Sequence, residues 1–203
     1  MPEFLVLEPH SFGLSAEQLR LIGLIAISWN NLETGLEERI WQLGKWSAPI
    51  GAFVTNRMTT VPRIELFKNL VRHQITNASL QTDAETWCRF FDKLRGRRND
   101  FVHAIPRFGV DSFDSYIKRQ TKGSGTINIT THNLSVAELK NLCLDLRLCE
   151  TESYLLFKKI MRFFNGVSPG FREGDPLYEL SREVKARIQT QLNPGSGGSG
   201  TRT

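Results

Sequence analysis

The run Arg97-Arg98-Asn99-Asp100-Phe101-Val102-His103 sets two guanidinium groups, an amide, a carboxylate and an imidazole side by side in a chain with only four histidines. On a helix Asn99 and His103 stand four residues apart, about 40° around the axis, so they share a face one turn apart and the amide can orient the imidazole. Arg98 precedes His103 by five residues, an offset of roughly 140° and 7.5 Å, so its long side chain has to wrap round to meet the imidazole at one ligand. An imidazole at the edge of a core titrates near neutral pH, and a planar guanidinium can donate two parallel hydrogen bonds to phosphate oxygens. The chemistry this set suits is proton transfer beside a phosphate. Between Arg89 and Arg107 the sequence adds Lys93, Arg95 and Arg97, giving six basic residues against Asp92 and Asp100. Such a cluster attracts a polyanionic backbone, and Lys93, Arg95, Arg97 and Arg107 are its candidate contacts. The plainer reading of the same run is a solvated helix face whose C-terminal end favours cations.

These residues need a helix to hold them. Three stretches carry the helix-start pattern in which a hydroxyl caps the third following amide while Glu or Gln reaches back: SAEQ at Ser15, TDAE at Thr82 and SVAE at Ser135. After Ser15, Leu19, Ile22, Ile25, Trp29, Leu32, Leu36, Ile40 and Leu43 recur at steps of three and four, which predicts a long helix with one buried stripe. Pro62 suits the first turn of a shorter amphipathic helix containing Ile64, Phe67, Leu70 and Val71. The helix bearing the polar run is expected to begin near Thr82 and to bury Trp87, Phe90, Phe91 and Leu94, with Phe101 towards its end. It should stop before Pro106, because a residue preceding proline is pushed out of the helical region.

From Arg107 to His132 the periodicity changes to alternation around TKGSG, which predicts a β-hairpin inserted near 108–131. Helical spacing returns after Ser135 through Leu139, Leu142, Leu146, Leu156, Ile160 and Phe163, and a last helix is expected from about Asp175 to Leu192. The fold class expected is all-α, an antiparallel helical bundle of about five helices with the small hairpin as an insertion. Residues 1–192 are expected to form one domain, and 193–203, rich in Gly and Ser, a disordered tail.

Composition narrows the function classes. At 203 residues and 40% apolar, one sizeable core is affordable, and 26 basic against 21 acidic residues make the chain mildly basic, so a nucleic-acid partner is permitted without being required. Cys88, Cys143 and Cys149 lack metal-ligand spacing and His10, His73 and His132 lack partners, so no metal, disulfide framework or cofactor is expected. The cysteines read as small buried hydrophobes, and Trp29, Trp41, Trp46 and Trp87 as core or interface residues. The opening MPEFLVLEPH lacks a basic leader and the longest apolar run falls short of a span, so a cytoplasmic protein without a membrane partner is expected.

The segment RNDFVH, 98–103, resembles the R-x4-6-H signature of HEPN-domain proteins, including the polar residue that follows the arginine. The long first helix, with Glu33 among apolar positions in SWNNLETGLEERIW, is also similar to that family. The resemblance in layout covers roughly residues 15–165. It implies a metal-independent endoribonuclease in which the RNA 2′-hydroxyl attacks the adjacent phosphate, leaving a 2′,3′-cyclic phosphate, often in toxin–antitoxin or defence systems. It assigns His103 to proton transfer, Arg98 to phosphate charge and Asn99 to orientation. It further implies a homodimer whose composite site joins both copies of Arg98 and His103, with RNA as substrate and an antitoxin or regulatory protein as a further partner. Two alternatives stand beside this: a non-catalytic module of the family that dimerises or binds partners, and a plain RNA-binding helical protein.

Overall fold

The computed structural model describes residues 14–102, 105–106, 115–121, 127–133 and 135–193, the strands by their backbone alone. Among these residues there are six helices, where about five are expected: α1 Ala16–Gly44, α2 Ala48–Thr55, α3 Thr60–Gln74, α4 Ala78–Val102, α5 Val136–Phe164 and α6 Pro176–Leu192. Between α4 and α5 the backbone forms β1 Ile105–Pro106, β2 Ser115–Thr121 and β3 Ile127–Asn133, antiparallel in the order β1-β2-β3, with Ile105 opposite Ile117 and Lys118 opposite Thr130. Residues 122–126 of the turn after Thr121, the Gly/Ser stretch from Pro194 onward and residues 1–13 lie outside the described residues. No described helix is long and apolar enough to cross a membrane.

Local chemistry explains several helix ends. At α1 the Ser15 amide donates to Gln18 Oε1 at 2.7 Å and the Gln18 amide donates to Ser15 Oγ at 3.2 Å, a reciprocal capping box. The Glu138 amide donates to Ser135 Oγ at 3.2 Å ahead of α5, and the Leu177 amide to Asp175 Oδ1 at 2.9 Å at the head of α6. α5 closes with Gly166 in the left-handed region, φ 70°, where the Val167 amide donates back to the Arg162 carbonyl at 2.9 Å and the Gly166 amide to Phe163 at 3.0 Å. α1 closes through the same pair of bonds with Lys45, φ 54°, in the position where glycine is the usual choice.

Two expectations about elements need correction. α4 begins four residues before Thr82: Asn77 Oδ1 accepts from the Leu80 amide at 3.0 Å, and the Thr82 hydroxyl donates to the Ala78 carbonyl inside the helix. The earlier start places Leu80 and Ala84 on the same buried face as Trp87, Cys88 and Phe91, and that burial outweighs a local cap at Thr82. α2 was not expected at all, because APIGAFVT has no amphipathic period. It is held from outside: Trp41 Nε1 donates to Thr55 Oγ1 at 3.1 Å, and a Cβ on Gly51 would lie 2.3 Å from Trp41 Cγ, so only glycine permits this approach.

By packing, the chain divides into two compact units, one comprising Met1–Trp29 with Leu94–Leu146 and the other Asn30–Lys93 with Arg147–Thr203. In the first, Leu21, Ile25, Trp29, Leu94, Leu139, Leu142 and Leu146 are buried, while Leu19 and Ile22 are only half-buried. In the second, Trp87 is central: its ring centroid lies 5.5 Å from Phe67, edge to face, and 5.3 Å from Phe91, and its indole N–H donates to the Cys149 carbonyl at 3.1 Å. Cys88 and Cys149 are buried there as small hydrophobes, as their spacing suggests.

Candidate functional site

The polar run occupies the last two turns of α4. From Arg95 to Phe101 every side chain is half-buried, between the fully buried Leu94 and the end of the helix at Val102. That intermediate position follows from the sequence, since the apolar stripe thins to Phe101 where the arginines crowd in. His103 and Arg107 lie outside the described residues.

The two neighbouring arginines have different surroundings. The Arg97 guanidinium pairs through Nη1 with Asp145 Oδ2 of α5, a carboxylate only 8% exposed. Arg98 is held by an amide and an indole: Nη1 donates to Asn99 Oδ1 at 3.1 Å, and the guanidinium carbon lies 5.8 Å from the ring centroid of Trp29. Its Nε is buried with no hydrogen-bond partner among the described residues. Arg97 therefore spends its charge on a nearly buried carboxylate, while Arg98 keeps its own beside two neutral groups, one of them an aromatic face that attracts cations. With Oδ1 engaged by Arg98, the Asn99 amide nitrogen still has donors to offer.

The protein-family models, the curated proteins and the solved structures contain no match to this chain.

The other sequence candidates are distributed differently. Lys93 is exposed and its ammonium donates to the Gln191 carbonyl at the end of α6, in the second unit. Arg95 is half-buried on α4. Of the basic cluster, Arg95, Arg97 and Arg98 belong to the first unit together with Trp29 and Asp145. Trp29, expected as a core or interface residue, is 3% exposed, whereas its contact with Arg98 and the pairing of Asp145 with Arg97 are not expected from the sequence. Neither pairing has a local signature, because α1 and α5 meet α4 only through tertiary packing. A faint signal existed for Asp145, a carboxylate one position before the buried Leu146 on an otherwise apolar stripe.

Proposed function

We propose that this protein is a HEPN-type, metal-independent endoribonuclease in which Arg98, Asn99 and His103 act on the scissile phosphate. The observation that carries the reading is the state of Arg98, a guanidinium at the edge of the core, oriented by Asn99 and by Trp29 and left with charge to give a ligand. RNA supplies its own nucleophile, so the protein has to provide a proton carrier near neutral pH and a cation for the crowded phosphate charge. His103 takes the 2′-hydroxyl proton, Arg98 binds the non-bridging oxygens, and Asn99 steadies the guanidinium and directs its free amide donors at the phosphate or the imidazole. The oxygen on phosphorus at the 5′ side of the next nucleotide leaves, giving a 2′,3′-cyclic phosphate and a 5′-hydroxyl. The bundle is then HEPN-like with residues 108–131 as its hairpin insertion. A homodimer brings a second Arg98 and His103 to the same cleft, which supplies the proton donor that one histidine per chain lacks. Lys93, Arg95 and Arg107 extend the contact along the RNA backbone, and an antitoxin or regulatory protein would act by covering it.

The experiment is cleavage of total RNA in EDTA by wild type, His103→Ala and Arg98→Ala, with analysis of product ends. Cleavage by wild type alone, leaving cyclic phosphates, is the expected result. Equal cleavage by His103→Ala, or none by a wild-type preparation that still dimerises, would return the motif to the non-catalytic alternative.

A further inference from the structure

The second unit contains a cavity of about 450 Å³ walled by the first turns of α4, the end of α5, the loop 168–171 and α6. Among the described residues its lining holds three cations, Lys159, Arg182 and Lys185, and one carboxylate, Asp83. Lys159 Nζ stands 3.3 Å from Asp83 Oδ2 and Lys185 Nζ 2.7 Å from Asp83 Oδ1, so two ammonium groups share one carboxylate. Lys159 is 4% exposed yet reaches the cavity wall, and its ammonium lies 5.5 Å from the Phe171 ring centroid. Burying an ammonium is costly unless it is fully paired, and half a carboxylate does not pair it fully.

The neighbouring acids do not cancel this excess. Glu179 pairs with Arg182 at 2.7 Å, but both side chains are more than 60% exposed, and such surface pairs hold little energy against a competing anion. Asp175 is turned to Arg162 at 3.4 Å. Glu152 lies behind Lys159, 3% exposed, and burial pushes its carboxyl up to about 7, so near neutral pH it is only partly charged. Ser79 and Tyr178 also line the cavity, and Ser79 sits in the first turn of α4, where backbone amides favour negative charge.

We infer that this cavity binds a small phosphomonoester of mononucleotide size, the phosphate lying between Lys159, Lys185 and Arg182 and the organic part against Phe171 and Tyr178. A dianion matches a wall with two ammonium groups and a guanidinium better than a monoanion, whose place Asp83 already takes. The volume falls in the range of small-molecule sites and is far larger than free phosphate needs. The inference is independent of the ribonuclease reading, since no residue is shared.

The test is calorimetric titration of the full chain with AMP, inorganic phosphate and adenosine, for wild type, Lys185→Gln and Arg182→Gln. Arg182 is exposed and Lys185 half-buried, and Asp83 keeps Lys159 as a partner when Lys185 is replaced, so the fold should be kept, with circular dichroism as the control. AMP should bind at least tenfold more tightly than phosphate or adenosine, and Lys185→Gln should weaken it about tenfold, the scale of one charge-assisted hydrogen bond. Absence of AMP binding to wild type, or equal binding by Lys185→Gln, would overturn the site. Equal affinity for AMP and phosphate would overturn the mononucleotide assignment.

Discussion

The guanidinium of Arg98 lies 5.8 Å from the ring centroid of Trp29, while the adjacent Arg97 turns to Asp145. One helical step of about 100° separates the two side chains and sends them to different partners. The consequence is a division of labour: one arginine fastens α5 to α4, and the other has an amide and an indole as its partners among the described residues.

Trp29 is accordingly a positioning residue for Arg98. In the cleavage assay Arg98→Ala should lose at least about a hundredfold, the scale of removing one charge-stabilising donor. Trp29→Leu should lose about three- to tenfold, as expected for one cation–π contact, and Trp29→Phe less. The pH profile of the residual activity should be unchanged if Trp29 acts only through Arg98, because His103, the proposed proton carrier, is kept in both variants. Leu and Phe variants that cleave as well as wild type would remove Trp29 from the site.

Arg97 should behave as a structural residue. Arg97→Gln leaves Asp145, 8% exposed, without its cation and should cost about 1–2 kcal/mol in urea denaturation, a partly exposed pair discounted for screening. The paired variant Arg97→Gln with Asp145→Asn should recover most of that loss. An RNA-binding defect in Arg97→Gln that the second substitution does not mend would place Arg97 on the RNA instead.

Glu152 predicts a stability profile that falls as pH rises. Its carboxyl is raised from 4.5 to about 7 chiefly by burial, with Lys159 opposing. Below 4.5 the group is protonated in both folded and unfolded chains and its contribution is fully present; between 4.5 and 7 the unfolded chain ionises first and that contribution is lost. The loss amounts to at most about 3 kcal/mol. Urea midpoints at pH 5, 6, 7 and 8 should decline in wild type and be flatter in Glu152→Gln; parallel profiles would show that the group is already ionised at pH 5.

The start of α4 is testable by two alanines. Asn77→Ala should cost about 1 kcal/mol, the usual value of an N-cap, whereas Thr82→Ala, inside the helix and exposed, should be within about 0.5 kcal/mol of wild type. The reverse order of effects would move the helix start to Thr82.

Thiol reactivity should separate the three cysteines. Burial pushes Cys88 up to about 12 and Cys149 well above its usual range, while Cys143 is half-buried with its sulfur 3.8 Å from the Leu21 carbonyl. Alkylation of the native chain at pH 8, followed by peptide mapping, should modify Cys143 first and the other two only on unfolding. Early labelling of Cys88 would mean that the face of α4 carrying it opens readily.

The sequence by itself determined the features that local physics encodes. Ser15 with Gln18, Asp175 with Pro176, and the three- and four-residue recurrence from Ile25 to Leu43 act within one or two helical turns, and α1 and α6 lie where those signals put them. The polar run was likewise legible, because its residue types are adjacent in the chain. Tertiary structure decided what requires distant groups. Asn77 and Thr82 are both competent caps, and the choice fell to whether Leu80 could be buried. α2, with a proline and a glycine in eight residues, has too little intrinsic helicity to declare itself and exists against the Trp41 ring. The separation of Arg97 from Arg98, and the convergence of Lys159 and Lys185 on Asp83, depend on which helices pack together. Charge and aromatic partners are chosen by proximity in space, and a residue's neighbours in the chain carry no record of that choice.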